Sequence, residues 1–169
     1  MPSLPVLVIL RGNSASGKST VARRVQHALP RGRVAVVGQD HVRRDLLRER
    51  DGDPVETIDL LELIVRRCLE RGRIVILEGI FKQATYGPMM QGLLAGHDGP
   101  ALVYYLDVSL PETLRRHATK PIAGHVGEEE VATWYRADDV LGLPGEVVLG
   151  EELTEDAMVE RLLADLAAH

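Results

Sequence analysis

GNSASGKS, residues 12–19 of the chain, matches the P-loop pattern G-x-x-x-x-G-K-[ST] in full. The apolar run 6–10 before it predicts a buried strand, and residues 20–29 after it have the apolar spacing of an amphipathic helix. A strand, a glycine-rich loop and a helix in this order form a phosphate cradle, because backbone N–H groups and the helix N-terminus face the anion. The stretch therefore predicts a nucleoside triphosphate site.

Two side chains of this loop have predicted chemical roles. Lys18 is expected to contact the β- and γ-phosphates as a catalytic cation, and the Ser19 hydroxyl is expected to help hold Mg²⁺. The alternative is a Gly/Ser turn that merely joins a strand to a helix. The other predicted nucleotide-binding residues are Gly12, Asn13, Ser14, Ala15, Ser16, Gly17 and Thr20.

The bulk properties narrow the class of protein. A chain of 169 residues is long enough for one domain with a sizeable core, and no boundary divides residues 1–169. The single cysteine, Cys68, allows no internal disulfide. The apolar runs are too short to cross a bilayer, and no signal-peptide pattern is present. The net charge of −5 disfavours general nucleic-acid binding. We expect a cytoplasmic monomer or homodimer with no membrane partner.

Strand and helix signals alternate along the chain, which predicts an α/β fold. The sheet is expected to be parallel, five-stranded and doubly wound, with helices on both faces as the outer two of three layers. Ligands in such sheets bind beyond the carboxyl ends of the strands. The predicted strands are 6–10, 33–37, 74–77, 101–106 and 146–149, and the predicted helices include 41–50, 86–94, 128–136 and 154–167.

Charged residues just beyond the strand ends are candidate catalytic groups. Asp40 follows the second strand, where a carboxylate can accept the proton of a substrate hydroxyl or instead cap the next helix. Arg43 and Arg44 share its predicted helix face and either bind an anionic or hydroxyl-rich substrate or form a solvated surface. Glu78 ends the third strand, where it can hold Mg²⁺, orient the substrate or point to solvent. Asp107 is a weaker candidate of the same kind.

A second basic cluster, RRHATKP at 115–121, follows a predicted helix. It predicts a short lid at about 115–137 that closes Arg115, Arg116 and Lys120 over a transferring phosphoryl group, where positive charge is needed. The alternative is a helix C-terminus whose cations suit the helix dipole.

Two variable segments, 41–60 and 80–97, are expected to form the substrate pocket. They offer Lys82 and Tyr86 as lining residues. Trp134 is expected either to pack the lid onto the domain or to stack on the substrate.

These motifs together resemble those of small P-loop kinases. The group includes chloramphenicol phosphotransferase, zeta-toxin kinases, gluconate kinase-like enzymes and the kinase half of polynucleotide kinase, and the chain also resembles bacterial proteins labelled uridine kinase-like or AAA-family ATPase. The resemblance rests on the P-loop, on Asp40 with its two arginines, on Leu77-Glu78-Gly79 and on the cluster at 115–121, and it spans nearly the whole chain.

This resemblance implies an adenylate-kinase-like fold that uses ATP and Mg²⁺. It implies Asp40 as the base, Arg115 and Arg116 at the ATP phosphates or adenine, and residues 150–153 on the adenine side. The leading hypothesis is an ATP-dependent kinase acting on a hydroxyl of a nucleoside, sugar or antibiotic. The alternatives are a polynucleotide 5′-hydroxyl kinase and a non-catalytic nucleotide-binding regulator.

Overall fold

The computed structural model describes residues 4–50, 52–119 and 125–169. Strands and helices alternate through most of this range, as the sequence predicts. The elements are β1 (Leu7–Gly12), α1 (Lys18–Ala28), β2 (Val34–Gly38), a π-helical segment (His41–Leu46), α2 (Val55–Glu70), β3 (Ile74–Gly79), α3 (Gln83–Ala95), β4 (Ala101–Asp107), α4 (Leu110–Ala118), α5 (Glu128–Trp134), β5 (Glu146–Gly150) and α6 (Glu155–Ala167).

The five strands form one parallel sheet in the order β2-β3-β1-β4-β5. This arrangement confirms the predicted doubly wound α/β fold. The central strand is β1, so the loop that follows it lies at the middle of the carboxyl edge of the sheet. The register places Leu10 beside Glu78 of β3 and Tyr104 of β4.

Both faces of the sheet are buried, and the alternation along β1 explains why. Val8 and Leu10 pack on one face against side chains of α1 and α6. Leu7 and Ile9 pack on the other face against side chains of α2 and α3. Full burial of an aliphatic side chain stabilises a fold by about 1.5–3 kcal/mol, so a strand that is apolar on both faces is stable only at the centre of such a sheet.

The predicted helix 41–50 is corrected by the structure, which has a shorter π-helical segment there. The Leu47 amide donates to the Val42 carbonyl five residues back, at 3.0 Å. Arg48 then adopts a left-handed conformation with φ +50°, and this backbone ends the helical segment. The residues that follow it lead into α2.

The helix α3 begins at Gln83, three residues before the predicted start. The Gln83 amide donates to the Asp139 carboxylate at 3.0 Å, so a residue that is distant in sequence supplies the N-terminal cap. None of the described helices is long and apolar enough to cross a membrane.

Candidate active site

The P-loop curves around the N-terminus of α1. Gly12 and Gly17 have φ angles of +155° and +96°, which side-chain-bearing residues rarely adopt. A Cβ atom on Gly12 would also lie 2.7 Å from the Leu106 carbonyl oxygen of the neighbouring strand. Lys18 is buried at the start of α1, and its Nζ donates to the Asn13 carbonyl at 3.0 Å. The loop is therefore shaped as a phosphate cradle, as its sequence predicts.

Two oxygen-bearing side chains meet at the edge of this cradle. The Ser19 hydroxyl donates to Glu78 Oε2 at 3.0 Å. Burial raises the pKa of Glu78, and nearby Asp40 raises it further, whereas Lys18 and the Ser19 hydrogen bond oppose the shift. Hydroxyl and carboxylate oxygens are the donors that Mg²⁺ prefers, so this pair fits the predicted magnesium position.

Glu78→Gln is expected to stabilise the nucleotide-free protein at pH 7. Because the pKa of Glu78 is raised above 4.5 in the folded state, its carboxylate begins to cost stability as the pH rises above 4.5, and the cost is complete once the pH exceeds the raised pKa. The gain should disappear below pH 4.5, the ordinary value for this group. Urea titrations at several pH values measure this gain in the free energy of unfolding.

The same substitution should weaken Mg²⁺ binding at the predicted magnesium position by about 10- to 100-fold, the usual effect of losing a group that supports a metal site. Glu160→Gln, at an exposed position on α6, serves as the control and should change neither quantity. Equal stability of the Glu78 variant and the wild type at every pH would contradict the assigned cost of this half-buried carboxylate.

A cleft of about 460 Å³ lies on one side of the P-loop, and we call it the Asp40 cleft. It brings together residues from the P-loop, from the segment after β2, from the start of α3 and from the end of α5. The predicted residues that line it are Ser14, Asp40, Arg43, Arg44, Lys82, Tyr86 and Trp134. The cleft therefore unites most of the substrate site that the sequence predicts.

Asp40 is exposed in this cleft and does not cap the helical segment that follows it. Its carboxylate lies 3.4 Å from Arg44 Nε, and the Arg44 guanidinium lies over the Trp134 ring at 5.9 Å. Arg43 turns away from this pair; it donates to the Arg50 carbonyl at 3.1 Å and lies 3.7 Å from Glu49. Both arginines line the Asp40 cleft, but Arg44 pairs with Asp40 whereas Arg43 pairs with Glu49.

Tyr86 is mostly a core residue, although it also reaches the Asp40 cleft. It is 4% exposed and packs edge-on against Phe81, with ring centroids 5.2 Å apart. Burial raises the pKa of its hydroxyl, and the neighbouring Gln39 side chain opposes that shift. Its position indicates a role in shaping the cleft.

A second cleft, of about 480 Å³, lies on the other side of the P-loop, and we call it the Arg115 cleft. P-loop residues 15–17 and Thr20 form one wall, Arg115 and Arg116 of α4 form another, and residues 151–155 complete it. Residues 151–153 belong to the segment that the resemblance assigns to the adenine side.

Glu112 holds the two arginines of this second cleft that the sequence predicts for a lid. It accepts hydrogen bonds from Arg115 at 2.6 and 2.7 Å and from Arg116 at 2.6 Å. These bonds lower the pKa of the Glu112 carboxyl to about 2, so the carboxylate stays charged at neutral pH. Lys120, the third predicted lid cation, lies outside the described residues.

Sequence reasoning missed a fully buried arginine immediately before the P-loop. Arg11 Nη2 donates to the Phe81 carbonyl at 2.8 Å and to Asp139 at 3.0 Å, and Nη1 lies 3.6 Å from Glu146. Burial lowers the pKa of Arg11, and the two carboxylates oppose that shift. The guanidinium also stacks on Tyr105 at 5.3 Å. A charged residue at the end of an apolar strand is the signal that could have revealed it.

Two amide side chains join the loops around the site. The Asn13 amide donates to the Arg136 carbonyl at 2.7 Å and accepts from the Arg136 amide at 2.9 Å. Gln39 accepts from the amides of Ile80 and Phe81 at 2.9 and 3.3 Å. The P-loop is thereby tied to the segment after α5, and the end of β2 is tied to the turn before α3.

The sheet order, the P-loop after the central strand and the two flanking clefts define a kinase-like P-loop NTPase fold. The sequence profile described as AAA domain matches residues 7–138. The chain belongs to this AAA domain family. No curated protein matches it significantly.

Solved structures share this fold over almost the whole chain. A protein from Chloroflexus aurantiacus j-10-fl, assigned as a kinase, superposes with a TM-score of 0.75 at 20% identity, covering 98% of each chain. The Mycobacterium tuberculosis APS kinase CysC in complex with AMPPNP and APS gives 0.74 at 20% identity, covering 99% of this chain and 100% of that one. A Sinorhizobium meliloti 1021 gluconokinase gives 0.66 at 16%, covering 98% and 94%. The predicted likeness to small P-loop kinases is confirmed.

Proposed function

We propose that the protein transfers the γ-phosphoryl group of ATP to a hydroxyl group of a small molecule. The observation that carries this proposal is the position of the P-loop between two clefts. Residues 15–17 line the Arg115 cleft, and Ser14 lines the Asp40 cleft. A nucleotide in the first cleft and an acceptor in the second would meet at the phosphate cradle, as phosphoryl transfer requires.

Asp40 is the proposed base. Its carboxylate accepts the proton of the acceptor hydroxyl while the new bond from oxygen to the γ-phosphorus forms. The bond from that phosphorus to the β–γ bridging oxygen then breaks, and ADP leaves. Its exposure in the cleft and its lack of a capping bond support this role over a structural one.

Cations on the nucleotide side are proposed to stabilise the transferring group. Lys18 contacts the β- and γ-phosphates, and Arg115 and Arg116 approach them from α4. Ser19 and Glu78 would hold Mg²⁺, which when bound neutralises charge on the phosphate oxygens.

The extent of the catalytic unit is part of the proposal. Residues 1–169 act as one kinase domain, and the lid at about 115–137 includes Lys120. The pairing of Arg115 and Arg116 with Glu112 supports the lid assignment, because it holds both cations at the rim of the nucleotide cleft before a nucleotide binds.

Mass spectrometry of products tests this function. The protein is incubated with Mg-ATP and pooled nucleosides, sugars and hydroxylated antibiotics, together with analogues of these that carry a carboxylate or phosphate group, and Lys18→Ala is the control. A compound heavier by one phosphoryl group is expected with the wild type and not with the variant. If ATP binds but no compound is phosphorylated, the proposed small-molecule kinase is wrong; phosphate transfer to a 5′-hydroxyl oligonucleotide would support the polynucleotide alternative instead.

A further inference from the structure

We infer that the phosphoryl acceptor is a small anion, a hydroxyl compound that carries a carboxylate or phosphate group bound at Arg44. This inference rests on the proposed kinase function and names the substrate class of its acceptor site. It is carried by the charges that line the Asp40 cleft, by the position of Arg44 between Asp40 and Trp134, and by the size of the cleft.

The charged side chains that line the Asp40 cleft are mainly basic, whereas those of the whole chain are mainly acidic. Arg43, Arg44 and Lys82 line it together with one carboxylate, that of Asp40. The chain overall has 25 acidic and 20 basic side chains. Positive charge is thus concentrated in the described wall of this cleft, where it raises the local concentration of an anionic ligand.

Arg44 is the group best placed to bind the anion. Its side chain is 54% exposed and projects into the cleft. Its guanidinium lies over the Trp134 ring at 5.9 Å, within the range of a cation–π contact, and a guanidinium can donate two parallel hydrogen bonds to a carboxylate or phosphate. An exposed pairing with Asp40 is weak in water, so an incoming anion can compete for Arg44.

Arg43 and Lys82 add positive charge from two further directions. Arg43 is held by the Arg50 carbonyl and by Glu49, which also accepts a hydrogen bond from Thr57. Glu49 offsets part of the Arg43 charge, so Arg43 contributes less than a full positive charge to the attraction of an anion. Lys82 stands at the N-cap of the 13-residue helix α3, where the positive end of the helix dipole acts in the same sense.

The pairing of Asp40 with Arg44 explains how one acceptor can use both groups. When an anionic compound binds, its charged group takes the place of the Asp40 carboxylate on Arg44. Asp40 is then released beside the ligand and can accept the proton of a hydroxyl on the same molecule. A neutral acceptor has no group that displaces Asp40 from the guanidinium.

The volume of the cleft favours a small molecule. About 460 Å³ lies in the range of pockets that bind metabolites and cofactors. A polymer would require an extended basic surface, whereas Arg43, Arg44 and Lys82 line a single cleft.

Matched pairs of compounds test the inference. The pairs are glucose and gluconate, glycerol and glycerate, and uridine and uridine 3′-monophosphate; each partner keeps a free hydroxyl. Phosphoryl transfer gives KM and kcat, and calorimetry on protein loaded with Mg-AMPPNP gives binding without turnover. We expect at least one anion to have a KM about tenfold or more below that of its neutral partner.

Two variants assign the effect to Arg44. Arg44→Gln should remove the preference by raising the KM of the anion to that of its neutral partner or above, and Arg44→Lys should restore part of the preference. The matched control is Arg67→Gln, since Arg67 is also an exposed helical arginine paired with a carboxylate, Glu70, at 3.0 Å. The control should keep the full preference.

The outcomes separate the inference from the kinase function. Transfer to neutral compounds with equal or lower KM overturns the inference and keeps the kinase. Anion binding that is lost in Arg44→Gln, without transfer to any compound, keeps an anion site at Arg44 and overturns the kinase. Absence of binding by all three anions, an unchanged preference in Arg44→Gln, or a strong preference for a 5′-hydroxyl oligonucleotide each overturns the small-anion acceptor.

Discussion

Asp40→Asn is expected to lower kcat for phosphoryl transfer by about 10²- to 10⁴-fold, the usual contribution of a general base. Asparagine has nearly the same size but cannot accept the hydroxyl proton. ATP affinity should stay unchanged, because Asp40 lines the cleft on the opposite side of the P-loop from the Arg115 cleft. Steady-state kinetics with the identified acceptor and nucleotide titration by calorimetry measure the two quantities.

Asp45→Asn is the matched control for this substitution. Asp45 lies in the π-helical segment that follows Asp40, is 72% exposed and pairs with His41 at 3.1 Å. It should leave kcat within about twofold of the wild type, as expected for a surface position away from the site. A kcat for Asp40→Asn within tenfold of the wild type would remove Asp40 as the base and leave positioning as the main source of catalysis.

Arg11→Met is expected to lower the free energy of unfolding by about 3–5 kcal/mol, as does removal of one partner from a buried ion pair. Methionine fills much of the volume of arginine but leaves the carboxylates of Asp139 and Glu146 without their cation. Glu146 is only 4% exposed, so water cannot replace the lost partner. Urea unfolding followed by circular dichroism measures the change.

Arg24→Met is the control for Arg11→Met. Arg24 also contacts two carboxylates, those of Glu155 at 2.9 Å and Asp156 at 2.6 Å, but its side chain is 42% exposed. Solvent screens such pairs, so the substitution should have little effect on the urea midpoint. Equal losses of unfolding free energy in Arg11→Met and Arg24→Met would show that burial does not determine how strongly the Arg11 ion pairs stabilise the fold.

Much of the fold follows from local sequence patterns. The strand β1 has an uninterrupted apolar run before a complete P-loop motif, and that combination has few alternative structures. The segment after β2 was less predictable, because its π-helical turn ends where Arg48 adopts a positive φ. The start of α3 depends on Asp139, which is 56 residues further along the chain.

The candidate site was predictable where a residue type directly implies a chemistry. Lys18, Ser19 and Asp40 follow from the motif and from the rule that ligands bind at the carboxyl edge of the sheet. Arg11 and Gln39 did not follow, because their roles depend on loops that only the tertiary structure brings to them. Arg43 illustrates the same limit: helical spacing paired it with Asp40, whereas the folded chain directs it toward Glu49.

The hydrogen bonds that the Arg11 and Asn13 side chains donate and the Gln39 side chain accepts bear on how such a protein can diversify. These three side chains come from the ends of two strands, and they fix the backbone around the cradle. The cationic side chains that line the Asp40 cleft come instead from segments 41–50 and 82–86. Exchanging those two segments between relatives should therefore transfer the preference for an acceptor and leave the nucleotide-binding residues unchanged. The framework is a suitable starting point for redesigning specificity.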